Sequence, residues 1–191
     1  MSSGTFKTAR ERGKLAPLKF EHAVLRTTRL QAMADWYTTV LQAEVAFGNG
    51  AIAFLSYDEQ NHRIAIVARP GTVERSPNSA GLDHLAFTYA DMGELVTTYE
   101  RLKAAGLLPV RATNHGSSTS MYYADPDGNQ VELKIDNFDT VEEQHAWLRS
   151  REFAENPVGI HFYPEKLVAR FHAGVPVAQL KRPGAIRVID S

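Results

Sequence analysis

The pattern of hydrophobic and polar positions predicts the same order of elements twice along this chain. Alternation in residues 18–27 predicts a strand that places Phe20, His22 and Val24 on one face. Helical spacing in residues 30–42 predicts a helix. Shorter segments between turn residues predict strands at 43–47, 51–57 and 62–69. The first part of the chain is therefore predicted to be a β-α-β-β-β module.

A second module of the same kind follows a segment rich in Pro, Gly and Ser. A strand is predicted at 82–89, and a helix at 92–105. Asp91 is typical of a helix start and Gly106 of a helix end. Three more strands are predicted at 108–113, 120–124 and 129–135. The chain therefore contains a weak internal repeat.

The repeat divides the chain into five segments of an α+β protein. The tail carries short helices at 140–149 and 164–172 and is otherwise predicted to be extended or irregular. We place a flexible N-terminal arm at 1–17, the first module at 18–70, a linker at 71–80, the second module at 81–136 and the C-terminal tail at 137–191.

Residues 115–132 are predicted to form a hairpin with several polar side chains. The sequence Asp-Pro-Asp-Gly at 125–128 favours a tight turn between two strands. In the second strand Glu132 lies between Val131 and Leu133, and successive side chains point to opposite faces. The Glu132 carboxylate is therefore predicted to point away from the apolar face that packs on helices.

The repeat also suggests a metal site. His22 and His84 occupy matching places on the first strand of each copy, and Glu132 lies on the last strand of the second copy. Two histidines and one carboxylate are a typical ligand set of non-haem Fe(II) with open positions. The corresponding stretch of the first copy, Ile64–Ala68, is apolar, so one side of the metal stays open, as in catalytic sites. A single inward strand histidine is more often a packed core residue, so this prediction depends on the repeat.

Three further side chains are candidates for the surroundings of that metal. His62 begins the last strand of the first copy, where we expect it on the same face as Ile64 and Ile66. His115 and Tyr122 lie in the hairpin that leads to the carboxylate ligand. Imidazoles and a phenol beside a Lewis-acidic metal suit proton transfer and the stabilisation of anions.

Composition excludes several other classes of function. The 191 residues carry a formal net charge of −1, which favours neither nucleic acid nor membrane surfaces as partners. There is no cysteine, so any metal must be bound by nitrogen and oxygen ligands. The N-terminus has no apolar core of a secretory signal, and no run approaches the roughly 18 apolar residues of a membrane span. We expect a cytoplasmic protein.

The hairpin matches a known signature in order and spacing. The matching residues are His115, Met121-Tyr122, Asp125-Pro126, Gly128 and Glu132. On these residues the chain resembles the vicinal oxygen chelate (glyoxalase/bleomycin resistance/dioxygenase) superfamily, and in particular the one-domain type I extradiol ring-cleaving dioxygenases. The resemblance covers roughly residues 18–136.

This resemblance implies a fold and a metal. The two modules would pair into a curved, barrel-like mixed sheet cup with helices outside. Mononuclear non-haem Fe(II), with Mn(II) as the alternative, would be held by His22, His84 and Glu132. We also expect a homo-oligomer.

The resemblance further implies an activity and residue roles. The enzyme would insert both atoms of O2 into a catecholic, vicinal diol aromatic substrate of the kind met in aromatic hydrocarbon catabolism. His62 would be the acid–base residue near bound O2, and His115 and Tyr122 would lie around the substrate.

Two alternatives share the same fold. A glyoxalase- or epimerase-like metalloenzyme would use Zn, Ni, Co or Mn for proton transfer, but such sites usually include a carboxylate in the first module, where Ile64–Ala68 is apolar. A metal-free drug-binding resistance protein would bind its ligand in an apolar groove. Such a protein does not need the set of His22, His84 and Glu132.

Overall fold

The structure, a computed structural model, describes residues 7–76 and 79–186. It contains two compact units, Met1–Asn78 and Ser79–Ser191, each built on one predicted module. Residues 1–6 of the predicted arm, 77–78 of the linker and 187–191 of the tail lie outside the described residues. The prediction of an α+β fold with two βαβββ modules is confirmed.

The first unit is a four-stranded mixed sheet with one helix. Its elements are β1 (Ala23–Arg26), α1 (Leu30–Leu41), β2 (Glu44–Gly48), β3 (Ile52–Ser56) and β4 (Ile64–Val67). The strand order is β1-β4-β3-β2, with β1 parallel to β4 and the other pairs antiparallel. Strands β1 and β4 are shorter than the predicted 18–27 and 62–69, because the pairing between them covers only four residues of each.

One face of this sheet packs on α1. Met33, Tyr37 and Val40 of the helix are fully buried, and so is Ile66 of β4. The helix contacts β3 and β4. It begins without a capping side chain and without an acidic residue in its first turn. Burial contributes about 1.5–3 kcal/mol for each large apolar side chain, so packing on the sheet stabilises this helix more than its end residues do.

The second unit is a five-stranded mixed sheet with five helices in its described part, 79–186. Its elements are β5 (His84–Thr88), α2 (Met92–Ala104), β6 (Arg111–Asn114), β7 (Ser118–Ala124), β8 (Gln130–Asp136), α3 (Val141–Leu148), α4 (Arg151–Glu155), β9 (Ile160–His161), α5 (Pro164–His172) and α6 (Val177–Leu180). The strand order is β5-β8-β7-β6-β9, with β5 parallel to β8.

Helix α2 covers the apolar face of the second sheet. The Asp91 side chain caps the helix by accepting a hydrogen bond of 3.0 Å from the backbone N–H of Glu94. Leu95 and Leu102 of α2 are buried, and the helix contacts β8. The buried apolar residues of β8 alternate along the strand: Val131, Leu133 and Ile135. The other side chains of β8 therefore point to the opposite face.

The C-terminal tail is an integral part of the second unit. Strand β9 pairs with β6, and α5 packs on α2. Glu165 of α5 accepts hydrogen bonds from the Tyr99 hydroxyl (2.7 Å) and the Lys103 ammonium (2.5 Å). The predicted helix at 164–172 agrees with α5, whereas α4, β9 and α6 are too short to have been predicted from periodicity. No helix in the described part of the chain has the length and apolar character of a membrane span.

Candidate active site

A row of polar side chains crosses the second sheet on the face opposite α2. Glu132 of β8 pairs with Ala86 of β5 on one side and with Tyr122 of β7 on the other. Tyr122 in turn pairs with Arg111 of β6. Side chains of directly paired residues share a face, and His84 shares it too, because it lies two residues before Ala86. This arrangement agrees with the predicted orientation of the Glu132 carboxylate.

His84 and Glu132 form a close pair at one end of this row. The His84 Nε2 atom lies 3.0 Å from a carboxylate oxygen of Glu132, whose side chain is only 8% exposed. The other ring nitrogen, Nδ1, lies 2.6 Å from the Asp83 carboxylate. If Nδ1 donates its proton to Asp83, the Nε2 lone pair faces the Glu132 carboxylate. The two acceptors then need a shared proton or a cation between them.

The spacing of this pair suits a metal ion. Nitrogen and oxygen ligands lie about 2.0–2.2 Å from a divalent first-row metal. Two ligand atoms that subtend a right angle at the metal are therefore about 3.0 Å apart. Adjacent ligands of a facial set have this arrangement. The observed distance between His84 Nε2 and Glu132 is 3.0 Å. These two side chains consequently fit two neighbouring positions of an octahedral metal.

Tyr122 and His115 form a second hydrogen-bonded pair beside the first. The Tyr122 hydroxyl lies 2.8 Å from His115 Nε2, and His115 Nδ1 lies 2.6 Å from the backbone carbonyl oxygen of Val158. A carbonyl oxygen only accepts, so Nδ1 carries the ring proton in the neutral imidazole. His115 Nε2 then accepts the hydrogen bond that the Tyr122 hydroxyl donates.

The surroundings favour the neutral form of both side chains. Burial raises the pKa of the Tyr122 hydroxyl most, and the negative charge of Glu132 raises it further, while Arg111 opposes the shift. The Arg111 guanidinium carbon lies 3.8 Å from the centre of the Tyr122 ring, a cation–π contact. Burial lowers the pKa of His115, although the hydrogen bond to the Val158 carbonyl acts to raise it. At neutral pH we therefore expect the Tyr122 phenol to donate the hydrogen bond and the His115 imidazole to accept it.

Buried polar contacts support the loop that carries His115. The Gly116 N–H donates to the Asn114 side chain (2.8 Å), and the Asn137 side chain donates to the Gly116 carbonyl (3.0 Å). Gly116 has a φ of +84°, and a Cβ placed there would lie 2.0 Å from the Trp147 ring of α3. Only glycine therefore allows α3 to pack this closely against the loop.

In the first unit, His22 and His62 lie next to each other. Their ring centres are 4.4 Å apart, and the His62 ring stacks on Phe54 at 4.6 Å. Phe54 pairs with Ala65, so it lies on the face opposite that of Ile64 and its alternate neighbours. The expectation that His62 shares the face of Ile64 and Ile66 is therefore wrong. The reason is that β4 begins only at Ile64, and the preceding residues form a turn in which alternation does not hold.

The two sheets carry corresponding rows with different chemistry. In the first unit the row is Val24, Ala65, Phe54 and Phe47, and in the second it is Ala86, Glu132, Tyr122 and Arg111. Ala65 thus occupies the place of Glu132. Alanine offers no metal ligand, and this agrees with the predicted absence of a carboxylate from 64–68.

The structure brings the predicted site residues together in two groups, one in each unit. His84, Glu132, Tyr122 and His115 are connected within the second unit, and His22 contacts His62 within the first. Over the described ranges 7–76 and 79–186, no three His, Asp or Glu side chains form a cluster that could hold a metal ion by themselves. The ligand role of His22 therefore stays a prediction.

Sequence reasoning missed three contributors to this site. Asp83 contacts His84, Arg111 lies over Tyr122, and the Val158 carbonyl contacts His115. Of the three, only Asp83 could have been identified from the sequence, because it directly precedes the candidate ligand His84. The other two contacts depend on strand register and on the return of the tail.

The sequence that builds this site matches a known family. The family described as the Glyoxalase/Bleomycin resistance protein/Dioxygenase superfamily matches residues 19–133. The chain belongs to this superfamily. Biphenyl-2,3-diol 1,2-dioxygenase 2 of Rhodococcus globerulus is 44% identical over 163 residues, which cover 85% of this chain and 86% of that protein. Biphenyl-2,3-diol 1,2-dioxygenase 3 of the same organism is 43% identical over 164 residues, with the same coverage.

Two solved structures have a similar fold. The glyoxylase/bleomycin resistance protein/dioxygenase domain from Frankia sp. EAN1pec aligns with a TM-score of 0.53 and 21% identity, over 63% of this chain and 99% of that domain. Lactoylglutathione lyase from Agrobacterium tumefaciens aligns with a TM-score of 0.51 and 22% identity, over 62% of this chain and 94% of that protein. At these identities the likeness concerns the fold alone.

The burial of His115 predicts its titration in the metal-free protein. Because burial disfavours the imidazolium, we expect its pKa to lie below the usual value of about 6.5. A pH titration of the histidine ring protons by NMR measures it, with His115→Gln used to assign the resonance. The unfolded chain binds this proton more readily. The unfolding free energy of the parent relative to His115→Gln should therefore fall as the pH drops below about 6.5. A midpoint above that value would contradict the prediction.

Proposed function

We propose that this protein is an extradiol dioxygenase that cleaves the ring of an aromatic vicinal diol with O2. The observation that carries the proposal is the 44% identity, over most of both chains, to a biphenyl-2,3-diol 1,2-dioxygenase. The extradiol class predicted from the hairpin is confirmed by this relative and by a second one at 43% identity. A biphenyl-2,3-diol or a similar catechol is the substrate class that follows.

The proposed metal is Fe(II), with Mn(II) as the second choice. His84 and Glu132 would supply two ligands, since their spacing fits adjacent metal positions. His22, in the first unit, would supply the third. This assignment rests on its place in the repeat, which is equivalent to that of His84. The proposal includes the pairing of the two sheets into one curved, barrel-like cup. When bound, Fe(II) supplies the one-electron chemistry through which O2 reacts with an aromatic diol.

Tyr122 and His115 are suited to bind the diol and to take up its proton. The Tyr122 oxygen can accept a hydrogen bond from a substrate hydroxyl while its own proton points to His115 Nε2. A proton that leaves the substrate can then pass through the phenol to the imidazole. Burial keeps His115 neutral, so its Nε2 is available as an acceptor. The positive charge of Arg111, which lies over the Tyr122 ring, stabilises negative charge that develops on the phenol or on the diol.

His62 is the proposed acid–base residue for the oxygen-derived part of the reaction. Its ring is held between His22 and Phe54 and keeps a partly exposed surface. Stacking on Phe54 fixes the plane of the imidazole without using its ring nitrogens, which leaves both nitrogens able to hold or move a proton.

The alternatives within the superfamily receive less support. A glyoxalase- or epimerase-like site usually has a carboxylate in the first module, where Ala65 stands at the place equivalent to Glu132. A metal-free drug-binding protein has no use for a buried carboxylate paired with a histidine, because burying an ionised carboxylate is costly.

Ring cleavage itself tests the proposed function. Protein reconstituted with Fe(II) without oxygen is mixed with biphenyl-2,3-diol or with single-ring and fused-ring catechols, and O2 is then added. We expect a yellow ring-fission product and stoichiometric O2 uptake. Aromatic 1,4-diols serve as controls, because their hydroxyls cannot chelate one metal. Failure to turn over any of the vicinal diols would contradict the proposal.

Metal content tests the ligand assignment. We expect purified, iron-loaded protein to hold an equimolar amount of iron, and His84→Ala or Glu132→Ala to retain little of it, because each removes a ligand. Elemental analysis after gel filtration measures the content. Glu165→Ala removes a carboxylate from α5 of the same unit and should keep the parent content. Full iron occupancy in both ligand variants would rule out their proposed role.

The role of His62 is tested by His62→Phe, which keeps an aromatic ring on Phe54 but removes the ring nitrogens. We expect unchanged affinity for the diol, measured by anaerobic titration, and a kcat lower by about 10²–10⁴-fold. His172→Phe, on the surface of α5, is the matched control and should have the parent kcat. A parent-like kcat for His62→Phe would remove His62 from the mechanism.

A further inference from the structure

We propose that the turn Asn156–Gly159, here called the clamp turn, positions His115 by setting the tautomer and the orientation of its ring. The clamp turn lies in the C-terminal tail, outside both βαβββ modules. The residues concerned are Val158, through its carbonyl oxygen, and Gly159, through its lack of a side chain. The catalytic consequence rests on the proposed function, in which His115 accepts a proton by way of Tyr122.

The hydrogen bond to the clamp turn determines which nitrogen of His115 carries the proton. His115 Nδ1 lies 2.6 Å from the Val158 carbonyl oxygen. With the proton on Nε2 instead, two lone pairs would face each other at that distance, which costs free energy. The doubly protonated ring is disfavoured by burial. The Nδ1–H tautomer therefore prevails, and Nε2 is left to accept from the Tyr122 hydroxyl.

Gly159 allows the clamp turn to reach His115. Its φ is +95°, in the region that favours glycine. A Cβ at this position would lie 2.3 Å from the Asn114 carbonyl oxygen and 2.7 Å from the His115 Cα. Both contacts are with backbone, which cannot move aside as a flexible side chain can. Any other residue at 159 therefore has to displace the turn from His115.

The clamp turn is closed and anchored on both sides of Val158. The Asn156 side chain donates to the Gly159 carbonyl (2.9 Å) and accepts from the Gly159 N–H (3.0 Å). Directly after the turn, β9 pairs with β6, the strand that leads into His115. The Asn114 side chain also donates to the Lys181 carbonyl oxygen (3.0 Å), which joins the end of α6 to the same place.

Packing of the Val158 side chain does not explain this arrangement, because that side chain is largely exposed: the residue is 58% accessible. The contribution of Val158 is its backbone carbonyl. A side-chain substitution at 158 would leave the carbonyl in place, so the informative changes are those that move the backbone of the turn.

The test compares Gly159→Ala with Gly174→Ala in the full-length protein. Gly174 has a φ of +76° in the same unit, but an added Cβ there meets no atom within 4 Å. Both variants incur the cost of a positive φ, and only Gly159→Ala also places a Cβ against the backbone beside His115. Thermal unfolding confirms that each variant is folded.

The first measurement is the tautomer in the metal-free protein. Long-range ¹H–¹⁵N NMR correlations of the histidine rings distinguish Nδ1–H from Nε2–H, and His115→Gln assigns the signals. We expect the Nδ1–H tautomer in the parent and in Gly174→Ala, and a substantial Nε2–H population in Gly159→Ala. An Nε2–H tautomer in the parent, or an unchanged Nδ1–H tautomer in folded Gly159→Ala, would overturn the proposal.

The second measurement is the rate of ring cleavage by the Fe(II)-loaded enzyme. We expect Gly159→Ala to lower kcat by about 10–100-fold, within the range of general acid–base catalysis, with KM changed much less. Gly174→Ala should match the parent. If Gly159→Ala does not fold, Asn156→Ala replaces it, because it removes the two bonds that close the turn without adding atoms. A parent kcat and a parent tautomer in Asn156→Ala would then overturn the proposal.

The two measurements separate this inference from the proposed function. A tautomer shift in Gly159→Ala without any ring cleavage by the parent would contradict the dioxygenase and leave the role of the clamp turn intact. Ring cleavage by the parent without a tautomer shift in the variant would contradict the clamp turn alone.

Discussion

The register of β8 between its two neighbours is the constraint on which the site depends. Alternation along this strand sends Val131 and Leu133 into the core under α2 and Glu132 to the opposite face. A shift of one residue would exchange these faces, exposing large apolar side chains and burying the carboxylate against α2. The packing that stabilises the unit therefore also orients the carboxylate. There Glu132 is still largely buried, and its carboxylate lies 3.0 Å from His84 Nε2.

The two modules have equivalent strand pairing but carry different side chains at equivalent positions. Corresponding rows cross both sheets, and the row of the second unit holds a carboxylate, a phenol and a guanidinium where the first has apolar side chains. A histidine two residues before Val24 or Ala86 is common to both. Under the proposed function, this repeat would supply one histidine ligand from each module, and the side-chain differences would leave one side of the metal open.

The C-terminal tail also contributes to the site. In the second unit, the module supplies Tyr122 and His115, while the tail supplies the carbonyl of Val158 that orients the imidazole. Helix α3 contributes Trp147, which packs against Gly116 in the same loop. The hydrogen bond at one nitrogen of an imidazole decides which nitrogen carries the proton. The two nitrogens of His115 contact a strand of the sheet and a turn outside it.

The sequence alone determined the order of elements in the two modules, the orientation of Glu132 and the family, because alternation, turn residues and the hairpin signature act between near neighbours. The face of His62 was predicted wrongly, since alternation was carried through a turn where it does not hold. Only the tertiary structure revealed Arg111 over the Tyr122 ring, and the Val158 carbonyl beside an imidazole 43 residues away in the chain. Such contacts depend on strand pairing and on the path of the tail. Neither leaves a periodic pattern in the sequence, because each is decided by how distant segments pack.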